Sequence, residues 1–254
     1  MAAFLNFTSQ GAGKVVVFLH GYMESKSMWN YFDFPLNFHA LFIDLPGHGQ
    51  SDLNWKEEPA MDQMADDVMS LLTHLNIENF SIVGHSMGGY VALSMLKKSA
   101  SVEKVILLNS NFWEDSPSKK KDRVRIADIV FTHKNQLIRE MLPNLFFDRN
   151  QFTVQIDDLI QEASMMSPEA IAYAALAMRN RENMKSFLQT RPHKVACILG
   201  ELDTLIPIDL FIHENEGLNL NYQIIENAGH MAHIENTFET RKQVLSMLSI
   251  QTTD

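Results

Sequence analysis

One cysteine in 254 residues, Cys197, leaves no partner for an intrachain disulfide. It sits inside the apolar run Val195-Ala196-Cys197-Ile198-Leu199, where it reads as a small core residue, and a reducing compartment fits it. Positive charge is also scarce: 21 Lys and Arg stand against 31 Asp and Glu, a formal charge of −10. That balance argues against general nucleic-acid binding and against adhesion to anionic membranes. No apolar run approaches the roughly eighteen residues of a membrane span, and Met1-Ala2-Ala3-Phe4-Leu5 has no basic start of the kind a signal peptide carries. The expected location is cytoplasmic. No His-Glu-x-x-His, G-x-G-x-x-G or Walker spacing occurs, so neither a metal site nor a cofactor is expected. Repeats and low-complexity stretches are missing as well, and a homodimer is compatible with the sequence.

What is present suits one large α/β domain, or a domain with an insertion: 46% hydrophobic and 20% charged residues are enough to bury a core. Short apolar runs alternate with longer helical patterns, which predicts a largely parallel sheet flanked by helices. Met61, Met64, Ala65, Val68, Leu71, Leu72 and Leu75 fall at helical spacing, with one face toward the sheet. A brief strand is expected around 3–7, ahead of one at Lys14 to Leu19. The last helix is expected from Asn236, with Glu239 completing a capping box.

One segment carries chemistry. The apolar run Phe80-Ser81-Ile82-Val83 leads into Gly84-His85-Ser86-Met87-Gly88 and then a helical pattern. A G-x-S-x-G between strand and helix forces the serine onto a turn so tight that side chains two residues either side would clash. Such strain tends to mark a functional turn. A serine hydroxyl needs a base to take its proton and a carboxylate to orient that base. Asp203 follows the strand-like run Lys194 to Leu199, and His230 follows Asn221 to Ile225. Loops at the carboxyl ends of parallel strands converge on one sheet edge. Glu201 and His233 are the rival acid and base. His20, His48, His85 and Asp44 read as structural hydrogen-bonding groups.

The chain resembles the α/β-hydrolase fold superfamily, in its cap-bearing carboxylesterase-like branch. The resemblance runs through His20-Gly21-Tyr22, the stretch Asp44 to Ser51, the elbow at Ser86, the Gly200-to-Pro207 loop and Ala228-Gly229-His230. It implies Ser86 as nucleophile, His230 as base and Asp203 as orienting acid, with the backbone N–H groups of Tyr22 and Met87 as oxyanion hole. It also implies a core of residues 1–111 and 188–254 with a helical cap at 112–187. A helix N-capped by Ser167 before Pro168 falls in that cap, as does one around Asp122 to Phe131.

The cap's Phe131, Leu137, Met141, Leu145, Phe146, Phe147, Met165 and Met166 either line an acyl pocket or hold the cap helices together. Lys119-Lys120-Lys121-Asp122-Arg123 reads as a solvated helix start, with an anionic-substrate rim as the lesser reading. The implied activity is hydrolysis of an ester or related acyl compound through an acyl-enzyme on Ser86, and the hydrophobic cap suggests a small or medium uncharged substrate. Carbon–carbon bond hydrolysis, menaquinone-pathway-type lyase chemistry on the same residues, with Arg179 or Arg123 meeting an anionic substrate, or a ligand receptor with little turnover are the alternatives. Haloalkane dehalogenases and epoxide hydrolases of this fold use an aspartate nucleophile, which Ser86 counts against.

Overall fold

The computed structural model describes residues 4–35, 37–55 and 57–250. Seven strands form one sheet: β1 (Phe7–Gln10), β2 (Val15–Leu19), β3 (His39–Ile43), β4 (Phe80–His85), β5 (Val102–Leu108), β6 (Val195–Gly200) and β7 (Asn221–Ile225). Their spatial order is β1-β3-β2-β4-β5-β6-β7. Only β1 runs antiparallel to its neighbour, pairing Phe7 with Ile43; the other five pairings are parallel.

The central strands are largely apolar because both faces of the sheet are covered, with polar residues such as Ser81, Glu103 and Lys104 near their starts. Val17, Leu19, Ile82, Val105, Leu107, Cys197 and Leu199 point into one core, with α1 (Met61–His74) and α2 (Met87–Lys98) packed over it. Val16, Phe18, Val83, Ile106, Leu108, Ala196 and Ile198 alternate onto the other face. There they meet Trp29, Phe34 and the C-terminal helix. Each of these Val, Leu, Ile and Phe side chains contributes about 1.5–3 kcal/mol by leaving water.

Four helices lie between β5 and β6: α3 (Pro117–Met141), α4 (Thr153–Met165), α5 (Pro168–Arg179) and α6 (Lys185–Leu188). The first three bury their own core, which includes Val130, Ile138, Phe146, Ile156, Leu159, Ala163 and Ile171. Ser116 and Ser167 cap α3 and α5 by accepting the amides of Lys119 and Ala170, each followed by proline at the first helical position. After β6 come α7 (Ile208–Asn215), α8 (Ala232–Glu235) and α9 (Thr237–Met247). Among the described residues no helix is long and apolar enough to cross a membrane.

Three local expectations need correction. The first strand occupies Phe7–Gln10 rather than 3–7, and residues 1–3 fall outside the described chain. The carbonyls of Phe4 and Asn6 are taken by the amides of Asp52 and Asp44, and Leu5 turns into the core. The helix expected at Asp122 to Phe131 begins at Pro117 and continues, across a non-helical His133, to Met141. No capping box closes α9: Glu239 bonds forward to Lys242 and Gln243, while Asn236 donates to the Glu226 carbonyl.

Candidate active site

Ser86 stands alone between the last residue of β4 and the first of α2, at φ 47° and ψ −115°. A non-glycine residue held there costs about 1–3 kcal/mol, which the flanking strand and helix must supply. The turn closes only because Gly84 and Gly88 lack side chains. A Cβ on Gly84 would fall 2.5 Å from the Gly88 carbonyl oxygen, and one on Gly88 would fall 2.4 Å from that of Leu19.

Three side chains from three strand ends meet at this turn. His230 Nε2 lies 2.9 Å from Ser86 Oγ, and His230 Nδ1 lies 2.8 Å from Asp203 Oδ2. With a proton on Nδ1 donated to the carboxylate, Nε2 is left to accept from the serine hydroxyl. The amides of Leu205 and Ile206 donate to Asp203 Oδ1, at 2.8 and 3.1 Å. Burial pushes the Asp203 carboxyl up, but the charge and hydrogen bond of His230, with bonds from Asn109 and the Ile206 amide, outweigh it and hold it down at about 2. Glu201 instead accepts the Asn227 amide, and among the described residues neither buried ring nitrogen of His233 has a hydrogen-bond partner. Neither rival touches the serine or its partners by a hydrogen bond.

Two supporting residues escaped the sequence reading. Asn109 follows β5 with φ 43°, and its Nδ2 donates both to Asp203 Oδ2 and to the Gly229 carbonyl, each at 3.0 Å. An asparagine just past a strand end, a residue that tolerates positive φ, was the available signal. The other, Glu24, carries none. Its Oε2 accepts the Gly21 amide at 2.7 Å and faces His85 Nδ1 at 3.0 Å, while His85 Nε2 lies 2.9 Å from the His230 carbonyl.

Both ring nitrogens of His85 therefore face acceptors, an arrangement that favours the doubly protonated ring. Burial pulls its pKa down, but the charge and hydrogen bond of Glu24 and the His230 carbonyl prevail and raise it. This buried ion pair straps the His20-Gly21-Tyr22 turn to the His230 loop. Removing one partner of such a pair typically costs about 3–5 kcal/mol. Glu235 braces the same loop by accepting the amides of Gly229 and Met231, on either side of His230.

The remaining singled-out residues are structural. His20 accepts the Leu45 amide, His48 bonds the Pro46 carbonyl, and buried Asp44 receives the Lys26 ammonium and amide and the Gln50 amide. Burial brings the His48 pKa down to about 4, so that ring is neutral. The Tyr22 hydroxyl donates to the Ile171 carbonyl of α5. Among the described residues no hydrogen bond takes the backbone N–H of Tyr22 or of Met87, the latter at the open first turn of α2.

Ser86, His230 and Tyr22 line a cavity of about 200 Å³. Met141 and Leu145 form part of its apolar wall. Phe146 and Met166 pack within the helices instead, Leu137 packs against them, and Phe131, Phe147 and Met165 are exposed. Lys119, Asp122 and Arg123 line the same cavity, so the basic run is a solvated helix start only in part. Among the described residues no cluster of three or more His, Cys, Asp or Glu is arranged to hold a metal ion.

Residues 14–237 match the model of the alpha/beta hydrolase fold family. The chain is 38% identical over 255 residues to the AB hydrolase superfamily protein YisY of Bacillus subtilis, covering 94% of this chain and 91% of that one. It is 26% identical over 244 residues to the dihydrolipoyllysine-residue acetyltransferase component of the acetoin cleaving system of Pseudomonas putida. That match covers 93% of this chain but spans only 64% of that protein's length. Among solved structures, a thermophilic esterase from Thermogutta terrifontis, with malate bound, superposes with a TM-score of 0.89 at 26% identity, covering 97% of this chain and 93% of that one. With this match over most of its length and that identity to a family member, the chain belongs to the alpha/beta hydrolase fold family and is an α/β-hydrolase.

Proposed function

We propose that this α/β-hydrolase is a serine hydrolase that cleaves a small carboxylic ester or related acyl compound through an acyl-enzyme on Ser86. The observation that carries the reading is the Ser86–His230–Asp203 hydrogen-bonded chain, set at a strained turn that opens into a cavity. Ser86 Oγ attacks the carbonyl carbon as His230 Nε2 takes its proton, and Asp203 holds the ring and offsets its charge. The tetrahedral oxyanion falls to the free amides of Met87 and Tyr22, each worth roughly 2.7–4 kcal/mol on protease precedent. The alcohol leaves with the proton from His230, and water, deprotonated by His230, releases the acid from Ser86.

Residues 112–187 serve as a helical cap over a core of 1–111 and 188–254, and α3 supplies much of the cavity wall. No cofactor enters this chemistry. A small-molecule substrate and a cytoplasmic setting fit the acidic surface and the single buried Cys197.

A p-nitrophenyl ester series from acetate to decanoate tests the reading. A cavity of about 200 Å³ predicts an optimum at the short end. Negligible turnover of every member by the folded protein would overturn it. That outcome would favour carbon–carbon bond cleavage, a reading to which the cationic residues Lys119 and Arg123 in the cavity wall lend support.

A further inference from the structure

The cavity that holds Ser86 has one charged end, and two of its cations keep donors that no carboxylate of the described residues takes. Asp115, with a side chain 1% exposed, receives Arg181 Nη2 at 2.8 Å and Arg123 Nε at 3.2 Å. Arg181 is fully committed: its Nε and Nη1 donate to the carbonyls of Trp113 and Met178, and its guanidinium lies 4.1 Å from the Tyr90 ring centroid. It therefore answers Asp115 by itself. Glu24, also in the wall, is answered by His85.

Arg123 commits only Nε. Among the described residues no hydrogen bond or ion pair takes its two Nη groups, although the side chain is only 20% exposed. Lys119 lies one helical turn before it, on the same face of α3. Lys119 Nζ bonds only the Leu205 carbonyl, at 3.2 Å, and has no carboxylate partner among the described residues. Among the described residues Asp122, the remaining carboxylate of the wall, forms no ion pair with either cation. A half-buried guanidinium whose Nη donors are open matches a carboxylate.

We propose that Arg123, with Lys119 beside it, forms a carboxylate-binding subsite, and that the substrate is a small ester carrying a free carboxylate a few bonds from its scissile carbonyl. This rests on Ser86 as the nucleophile. Burial and the neighbouring Arg123 and Arg181 cations, against the pull of Asp115 and Asp203, hold the Lys119 pKa below the ordinary lysine range. The carboxylate can belong to the acyl or to the alcohol half, since both halves occupy the same cavity.

Calorimetric binding of glutarate to the wild type, Arg123→Gln and Arg123→Lys decides the subsite without turnover. Arg181 still holds Asp115 in both variants, so each should fold, which thermal melting checks. The expected result is binding to the wild type, a Kd at least tenfold higher in Arg123→Gln, partial recovery in Arg123→Lys, and weakening by salt. No binding to the wild type, or equal binding to all three, overturns the subsite. In parallel, kcat/KM for monoethyl glutarate and for acetoxyacetate is compared with that for ethyl butyrate. At least one carboxylate ester should be preferred by the wild type, through KM, and the preference should fall in Arg123→Gln. Preference for ethyl butyrate would overturn the substrate class, whereas turnover of none of the three would count against the Ser86 reading separately from the binding result.

Discussion

Replacing Ser86 by alanine should lower turnover of the best p-nitrophenyl ester by about 10⁶-fold, on the precedent of nucleophile removal in a serine protease. The loss is this large because no second nucleophile stands in for Oγ: His230 acts on the serine itself, and the nearby Ser110 hydroxyl is donated to the Ser86 carbonyl. Stability should change little, since the strand, helix and glycine contacts that hold the turn survive the substitution. Steady-state kinetics alongside thermal melting checks both parts. A folded alanine variant with near wild-type activity would refute Ser86 as nucleophile.

Asp203→Asn should cost about 10⁴-fold in kcat, the size of the tautomer effect in a related constellation. An amide facing His230 Nδ1 would donate there, leaving the proton on Nε2, where it blocks abstraction from Ser86. The same substitution reports on acid stability. Folding holds the Asp203 pKa at about 2, below its unfolded value near 4. Its contribution to stability is therefore complete above about pH 4 and disappears as pH falls toward about 2. Urea unfolding across that range should show a steeper loss for the wild type than for Asp203→Asn. Parallel curves for the two proteins would contradict the depressed pKa.

Much of this geometry was legible in the sequence because it follows from local rules. Strand runs such as Val15 to Leu19 and Ala196 to Leu199 are apolar at every position, as a sheet covered on both faces requires. Placing Ser86, Asp203 and His230 after three parallel strands was enough to bring them to one edge. Misreadings arose where a non-local partner decides. Phe4 and Leu5 look like strand residues, but the Phe4 carbonyl goes to the Asp52 amide and the Leu5 side chain to the core. Glu239 has capping-box spacing, yet Lys242 and Gln243 lie closer to hand.

The basic run shows the same limit more sharply. Whether Arg123 is solvated or faces the cavity depends on Asp115 and on Arg181, 58 residues downstream. Glu24 is the extreme case. Its role is set by His85 and by Gly21, and nothing in Met23-Glu24-Ser25 announces a buried ion pair.

The most direct test of the account is the mass of the protein after exposure to a fluorophosphonate. Attack by Ser86 Oγ forms an oxygen–phosphorus bond and expels fluoride, leaving a stable adduct in place of the acyl-enzyme. The account predicts one adduct per chain, mapped by peptide mass spectrometry to Ser86 and missing from Ser86→Ala. An unmodified wild type, or an adduct on another residue that persists in Ser86→Ala, would contradict it.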